Sequence, residues 1–191
     1  MSVFLIYGNP RLSPTHWYTW ISEKIAASGL VCAHISLPNP QQPDYEQYKQ
    51  IFIHQDIQLN EDSIIIAHEL GVLVALDWLS IQLKQGKRIK ALFVISASNQ
   101  NLAAKPEYHS FMKHIKIDDS VIRSHVQKRF LFLSNNDLNI PAPLSIGFGH
   151  LLNAQMIEVK QAGQFRDQDG LLEFPQLWEK LKPILKAKEE A

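Results

Sequence analysis

The sequence is poor in cysteine, in net charge and in long apolar runs. Its single cysteine, Cys32, cannot form an intramolecular disulfide, and the apolar stretch LVCAHISL around it favours a small buried side chain. Equal numbers of basic and acidic residues, 19 of each, leave little electrostatic attraction for nucleic acid. The apolar run in MSVFLIYG is too short for a membrane span or a signal-peptide core. We therefore expect a cytoplasmic protein that binds neither nucleic acid nor membrane.

Signals for a cofactor are also missing. The sequence has no spacing of histidine, cysteine or acidic residues that is typical of a metal site, and no glycine-rich loop that would cradle a phosphate. We expect no cofactor and no metal. The partner, whether a small molecule or another protein, is not identified by the composition.

What the sequence does contain is an alternation of short apolar runs with amphipathic stretches. A length of 191 residues and a hydrophobic share of 46% suit one domain, residues 1–191, with a polar tail from about residue 186. The alternation predicts the α/β class: a single-domain, three-layer fold in which helices flank a mostly parallel sheet of about six strands. The predicted strands are Val3–Tyr7, Val31–Ile35, Ser63–Ala67, Ile89–Ser96, Phe130–Ser134 and Met156–Val159.

Helices are predicted between these strands. Helical spacing begins at Trp17, and Asp44 is a suitable N-cap for a second helix. A third helix follows Gly71, and the last one carries Leu177 and Leu181 on one face. Residues 99–127 are predicted only as a connection.

One predicted turn has the sequence pattern of a candidate catalytic site. The segment IIIAHELG runs from an apolar strand through His68 and Glu69 into a helix. A strand, a sharp turn and a helix, with small residues two before and two after the apex, form the nucleophile elbow of α/β-hydrolases. With Glu69 at the apex, Ala67 and Gly71 are those small residues. If the turn is displaced by one residue, Glu69 is instead an exposed acid in the first helical turn, where the helix dipole favours it.

Further segments make the chain similar to a known family. They are YGNPRLSPTHWYTW after the first strand, ISLPNPQQPD after the second, FLSNNDLNIP after a later strand, and VKQAGQFRDQDG and FPQLWEKL towards the end. With IIIAHELG, their order and spacing resemble the small serine hydrolase family of α/β-hydrolase fold, which includes the retinoblastoma-binding serine hydrolase and bacterial relatives. The resemblance covers most of the chain and implies a fold whose other members are hydrolases or esterases.

Position by position, the resemblance places the catalytic serine at Glu69, the acid at Asp137 and the histidine at Gln164. Two of the three catalytic residues are therefore replaced. Glutamate cannot take the part of serine, because its carboxylate is already ionised and lies farther from the backbone, and glutamine cannot transfer a proton. We predict a pseudoenzyme that is degenerate for serine ester hydrolysis and acts as a binding or interaction protein.

Two other functions stay open. In the first, an enzyme of altered chemistry uses the Glu69 carboxylate to attack carbon or to activate water. The dehalogenase branch of the fold resembles this arrangement, but that branch uses aspartate and keeps its histidine. In the second, the chain is a scaffold for oligomers and uses exposed aromatic residues such as Tyr18, Tyr45 or Tyr48.

The resemblance also implies a pocket beside the turn. Backbone donors for an oxyanion would come from Leu70 and from the loop near Asn9 and Arg11, and they can persist because N–H groups need no particular side chain. His16 lies beside the same pocket, where a hydrogen-bonding role is favoured over a role as a base.

The other polar residues receive structural interpretations. His68 is expected to pack within the turn, and His150 is expected on a helix face before the last strand. Ser96 and Ser98 are expected to be ordinary hydroxyls at the end of a strand, because neither has an identifiable base.

Asp137 and Arg166 each have a structural and a functional interpretation. Asp137 is explained as well by a turn in SNNDLNIP as by a catalytic role. Arg166 follows Gln164 by two residues and could reach and neutralise Glu69, although a surface arginine is favoured.

Overall fold

Six parallel strands form one sheet, with helices on both of its faces. The computed structural model describes residues 1–8, 16–55 and 57–186. The strands are β1 (Val3–Tyr7), β2 (Cys32–Ser36), β3 (Ile64–His68), β4 (Ile89–Ile95), β5 (Val126–Ser134) and β6 (Gln155–Val159). The helices in this part of the chain are α1 (Trp17–Ala26), α2 (Tyr45–His54), α3 (Leu70–Leu83), α4 (Tyr108–Met112), α5 (Asp119–His125), α6 (Ala142–Leu151) and α7 (Pro175–Lys186). A 3₁₀ turn covers Asp167–Asp169.

The α/β class and the parallel sheet are confirmed. The strand order is β2-β1-β3-β4-β5-β6, and each neighbouring pair is parallel. Asp44 caps α2 as predicted, because its side chain accepts a hydrogen bond from the backbone N–H of Gln47. The connection predicted for residues 99–127 contains α4 and α5, and β5 begins at Val126 instead of Phe130.

The early start of β5 has a simple physical reason. Val126 already pairs with Ile89 of β4, whereas β6 joins β5 only from Phe130 onwards. The first residues of β5 therefore lack a neighbour on one side, and Gln127 and Lys128 are exposed there. Their polar side chains hid the strand from a search for apolar runs.

Both faces of the central sheet are buried, which explains the apolar runs. All residues of β3, Ile64–His68, are buried, as expected for a parallel strand with helices on both sides. Ile65 belongs to the core beneath α2, α3, α5 and α6. Ile66 belongs to the opposite core, which α1 and α7 cover.

The aromatic residues that suggested a scaffold for oligomers are not exposed as expected. Tyr18 is 2% exposed and Tyr48 is fully buried, so neither offers a surface to a partner. Tyr45 is half-buried, and its hydroxyl donates a hydrogen bond to Asp77. These aromatic side chains hold helices to the core instead.

The last described residues of the chain are helical. Of the predicted polar tail, only Lys186 falls within the described residues, where it ends α7. Among the described helices, none is long and apolar enough to cross a membrane.

The register of the sheet brings several turns to one edge. Tyr7 pairs with His68, His68 pairs with Ile95, and Ile95 pairs with Phe132. The carboxyl ends of β1, β3, β4 and β5 therefore meet at the same edge, which is where open α/β sheets hold their ligands.

Candidate functional site: the turn between β3 and α3

Glu69 forms the sharp turn between β3 and α3. Its φ is 51° and its ψ is −124°, a conformation that is strained for any residue with a side chain. Its backbone N–H still donates to the carbonyl of Ile95, so the turn remains attached to β4. Glu69 is thus the single residue that separates β3, which ends at His68, from α3, which begins at Leu70.

The small residues on either side of the turn are required by contact. A Cβ atom added at Gly71 would lie 2.5 Å from the carbonyl oxygen of Ile6 and 2.9 Å from the Cα of Tyr7. Ala67 is fully buried in β3. The helix therefore starts against β1, and its first N–H groups, which lack partners inside the helix, begin at Leu70.

Arg166 forms an ion pair with Glu69. Its Nε donates to Glu69 Oε1 over 2.6 Å, and its Nη2 lies 2.5 Å from the same oxygen in the ion pair. The side chains are only 25% and 17% exposed. The interpretation of Arg166 as a surface arginine is wrong, because the guanidinium turns inward to a buried carboxylate that would otherwise be costly.

Burial raises the pKa of Glu69 above its usual value, and the adjacent Arg166 charge and hydrogen bonds oppose that rise. The arginine therefore favours the ionised form of the carboxylate, against the effect of burial. Both arginine nitrogens lie close to one carboxylate oxygen, which reduces its electron density and hence its reactivity as a nucleophile.

Asp169 holds the segment that carries Arg166. Its Oδ2 accepts hydrogen bonds from the backbone N–H groups of Gln164, at 2.8 Å, and of Arg166, at 3.2 Å. Gly163 has a φ of 53°, and a Cβ atom there would lie 2.5 Å from Asp169 Cγ. The glycine and the aspartate together fix the direction in which Arg166 leaves the backbone.

Gln164 contributes its backbone to the same arrangement. Its carbonyl accepts a hydrogen bond from His68 Nε2 over 2.7 Å, which joins this segment to the end of β3. Its half-buried side chain lines the cavity beside Glu69. An amide at this position supplies no proton transfer, because neither its nitrogen nor its oxygen titrates near neutral pH.

Both ring nitrogens of His68 form hydrogen bonds. A carbonyl can only accept, so Nε2 carries the hydrogen that bonds Gln164, and Nδ1 accepts from the hydroxyl of Tyr18. Burial lowers the pKa of His68 to about 3, so the ring is neutral. His68 therefore acts as a structural link between α1, β3 and the segment of Gln164.

His16 serves as the N-cap of α1. Its Nδ1 accepts from the backbone N–H of Tyr18 over 3.3 Å, and its ring lies 3.8 Å from the Tyr18 ring centroid. It is 2% exposed, and burial, with His68 nearby, lowers its pKa to about 4. The described residues that line the cavity do not include it.

Asp137 is held by other partners than a histidine. Its Oδ1 accepts from the backbone N–H groups of Asn139 and Ile140, both at 2.9 Å, and its Oδ2 accepts from Ser96 Oγ at 2.7 Å. Burial raises its pKa, and these hydrogen bonds oppose the rise. Both carboxylate oxygens of Asp137 therefore have partners, Oδ1 within the turn and Oδ2 at Ser96. The bond to Ser96 connects the ends of β4 and β5.

Two cavities meet at the Glu69–Arg166 pair. The inner one, whose walls include Leu70, Leu73 and Ile140, has a volume of about 30 Å³, which is room for one or two water molecules. The outer cleft of about 220 Å³ includes Lys105 and Asp167. Glu69 and Arg166 line both, so the pair stands between them.

The remaining expectations concern residues away from the Glu69–Arg166 pair. Asn9 and Arg11, expected to help bind an oxyanion, lie outside the described residues. His150 lies on α6 and is exposed. The described part of the chain has no group of three or more histidine, cysteine or acidic side chains that could hold a metal ion.

The comparison with known proteins places this geometry in a family. The model of the serine hydrolase family matches residues 3–183. The chain belongs to the serine hydrolase family. The matched range includes both cores and the turn at Glu69. The match confirms the resemblance found from the motifs.

Relatives of this serine hydrolase chain support the same placement. It is 24% identical to the YdeN protein of Bacillus subtilis (strain 168) over 179 residues, 94% of this chain and 93% of that one. The crystal structure of the ydeN gene product matches with a TM-score of 0.83 at 23% identity, over 96% of this chain and 97% of that one. Est1E from Butyrivibrio proteoclasticus matches with a TM-score of 0.68 at 13% identity, over 98% and 88%. At these identities the structures show the α/β-hydrolase-like fold alone.

Proposed function

We propose that this member of the serine hydrolase family does not hydrolyse esters by the serine mechanism and acts as a binding or interaction protein. The observation that carries the proposal is the Glu69–Arg166 ion pair at the turn where the nucleophile belongs. A carboxylate bonded to a guanidinium occupies the position from which a hydroxyl would attack.

The proton path supports the proposal as strongly as the nucleophile does. Gln164 follows β6 in the segment from which the family takes its base, and its amide cannot accept the proton of a nucleophile. His68 is the imidazole next to the turn, and both of its nitrogens are already used. In subtilisin, loss of nucleophile and base as a unit lowers turnover on the order of 10⁶-fold.

The small inner cavity supports a mode of binding in which the Glu69 and Arg166 side chains rearrange or the cleft is covered from outside. An inner cavity of about 30 Å³ does not admit an acyl chain while Glu69 and Arg166 remain paired. A ligand would enter from the outer cleft and separate the two side chains, or a protein would cover the cleft without entering it. Either mode uses the fold as a recognition surface.

An esterase assay tests this proposal. Native protein and an E69S/Q164H variant are compared on a short activated ester, with and without R166A, because an unpaired guanidinium would occupy the space that Glu69 leaves. We expect no turnover by the native protein and measurable turnover by the serine variants. The matched control is E69A/Q164H, which has the base and lacks the nucleophile.

Activity of the native protein that E69A abolishes would contradict the proposal. A serine variant that folds normally and stays inactive would contradict the idea that the remaining oxyanion donors are in place. Circular dichroism and thermal unfolding of each variant separate these outcomes from misfolding.

The second candidate, altered chemistry at Glu69, has one observation in its favour. The positive φ of Glu69 presents its carboxylate at the nucleophile position. Attack of that carboxylate on an alkyl halide or an epoxide would form an ester to the protein and release halide or open the ring. Intact mass spectrometry after incubation with such reagents tests it, with E69Q as the control. An adduct absent from E69Q would favour this chemistry, and no adduct would count against it.

A further inference from the structure

A depression between α2 and α3 combines exposed apolar side chains with an aromatic floor. Ile53 of α2 is 58% exposed and Ile81 of α3 is 49% exposed, and both line the depression, whose volume is about 330 Å³. Below them, the rings of Phe52 and Trp78 pack with their centroids 5.0 Å apart. Single exposed apolar residues are common on proteins, but a shared depression over a tryptophan is typical of a binding surface.

The charged side chains among the described residues that line this depression are both basic. Lys49 and Lys87 line it, and its described lining includes no acidic residue. Lys49 lies 3.9 Å from Glu46, and their side chains are 50% and 71% exposed, so this pair is weak. Lys87 donates to the neutral amide oxygen of Gln82. Carboxylates from another molecule would find two ammonium groups beside an apolar surface.

The depression is separate from the site at Glu69. None of the described residues that line it also lines the inner cavity or the outer cleft. Ile81 follows Glu69 by 12 positions, which corresponds to ~18 Å along α3 at 1.5 Å per residue. A molecule bound here would leave the Glu69–Arg166 pair untouched.

We propose that this depression docks an amphipathic helical segment of a partner protein, with apolar side chains between Ile53 and Ile81 and carboxylates beside Lys49 and Lys87. Apolar anchors in a groove between helices supply the affinity, and charge on the flanks supplies the selection of partner. Trp78 at the floor is the type of side chain that dominates binding energy at interfaces.

A second copy of the chain is the less suitable occupant. A twofold contact would place this surface against itself and bring the lysines of both copies into one interface. Like charges at such a contact oppose association, whereas acidic flanks on a different protein relieve the repulsion.

The proposal goes beyond the proposed function at Glu69 and rests on other residues. Loss of docking would leave the esterase comparison unchanged, and activity at Glu69 would leave the docking surface unchanged. The two can therefore fail separately.

Selection from a displayed library of random peptides of about 16 residues tests the docking surface. The full chain is the target, and an I53E/I81E variant is used to remove peptides that bind elsewhere. We expect enriched sequences with apolar residues at spacings of three and four and with Asp or Glu on the flanks. The K49E/K87E variant should instead select basic flanks.

Fluorescence anisotropy with one enriched peptide gives the quantitative test. We expect I81E to weaken binding at least ~10-fold, as loss of an interface anchor does. The control is I146E, which alters an isoleucine of α6 that is 39% exposed and lies away from the depression. It should bind as the native protein does.

Three results would overturn the proposal: no enrichment, enrichment without acidic residues, or equal binding by I81E. Light scattering supplies a fourth. A native dimer that I81E converts to a monomer would assign the depression to a second copy of the chain.

Discussion

At the scale of single residues, the charge of Glu69 governs the turn. The carboxylate lies in a place that excludes most water, and its own burial raises its pKa. Arg166 offsets this by its charge and by a hydrogen bond from Nε to Oε1. A buried ion pair adds little net stability over an apolar pair, but removal of one partner leaves the other charge buried and uncompensated.

Removal of the arginine should therefore destabilise the protein, and the loss should depend on pH. We expect R166A to lower the free energy of unfolding by about 2–3 kcal/mol at pH 7, below the range for fully buried pairs because both side chains are partly exposed. The folded-state pKa of Glu69 is raised and rises further without Arg166. Its protonation in the fold then makes the loss smaller at pH 5 than at pH 7.

Urea unfolding at the two pH values measures this effect. The control is E69Q/R166A, which has neither charge and should lose less stability than R166A alone. An equal loss for R166A at pH 5 and pH 7 would show that the arginine acts by packing and not by its charge.

The sequence could place Glu69, but it offered its partner, Arg166, only as the less favoured of two interpretations. The strand, the turn and Gly71 are adjacent in the chain, so local pattern was enough. Arg166 lies 97 positions away, and nothing local shows that its side chain turns inward. The useful signal was indirect: an acid at a buried turn requires a cation, and Arg166 is the cation two residues after the position of the missing base.

At the scale of elements, the start of α3 depends on how closely it approaches β1. The carbonyl oxygen of Ile6 occupies the place that a side chain at Gly71 would take. The glycine therefore fixes the distance between helix and sheet, and through it the position of Glu69.

Substitution of this glycine should shift the helix. We expect G71A to lower the free energy of unfolding by about 2–4 kcal/mol, as overpacking against rigid backbone does. The matched control is G147A in α6, where an added Cβ meets nothing within 4 Å and helix propensity favours alanine by about 0.5–1 kcal/mol. Urea midpoints measure both, and an unchanged midpoint for G71A would contradict the close approach.

Elements were predictable where they are apolar and less so where they are polar. The buried strands β3 and β4 were found within one residue of their ends, because helices cover both of their faces. The first residues of β5 were missed, and the short helices α4 and α5 lie in a segment that was predicted only as a connection. Val126 starts a strand by pairing with β4 on one side only, and that pairing is tertiary, so no local pattern reveals it.

At the scale of the whole molecule, two buried histidines connect the first helix to the site. His16 caps α1 beneath the Tyr18 ring, and His68 joins Tyr18 to the backbone of Gln164. Both are neutral in the fold, with pKa values lowered to about 4 and about 3. The unfolded chain takes up protons on both near pH 6.5, which the fold does not, so stability falls as the pH drops below that value.

The share of His16 in this loss can be measured by itself. Asparagine is also a good N-cap, so H16N keeps the bond to the N–H of Tyr18 and removes the titrating ring. Between pH 7 and pH 5, a histidine with a pKa of about 4 in the fold and about 6.5 in the unfolded chain costs about 2 kcal/mol of stability. Over this change in pH, we expect H16N to lose about that much less stability than the native protein. The control is H150N, at an exposed position of α6, which should lose as much as the native protein does. Urea unfolding at both pH values decides the matter: parallel losses in H16N and H150N would mean that His16 is protonated within the fold, and its place beneath Tyr18 would then have to be open to water.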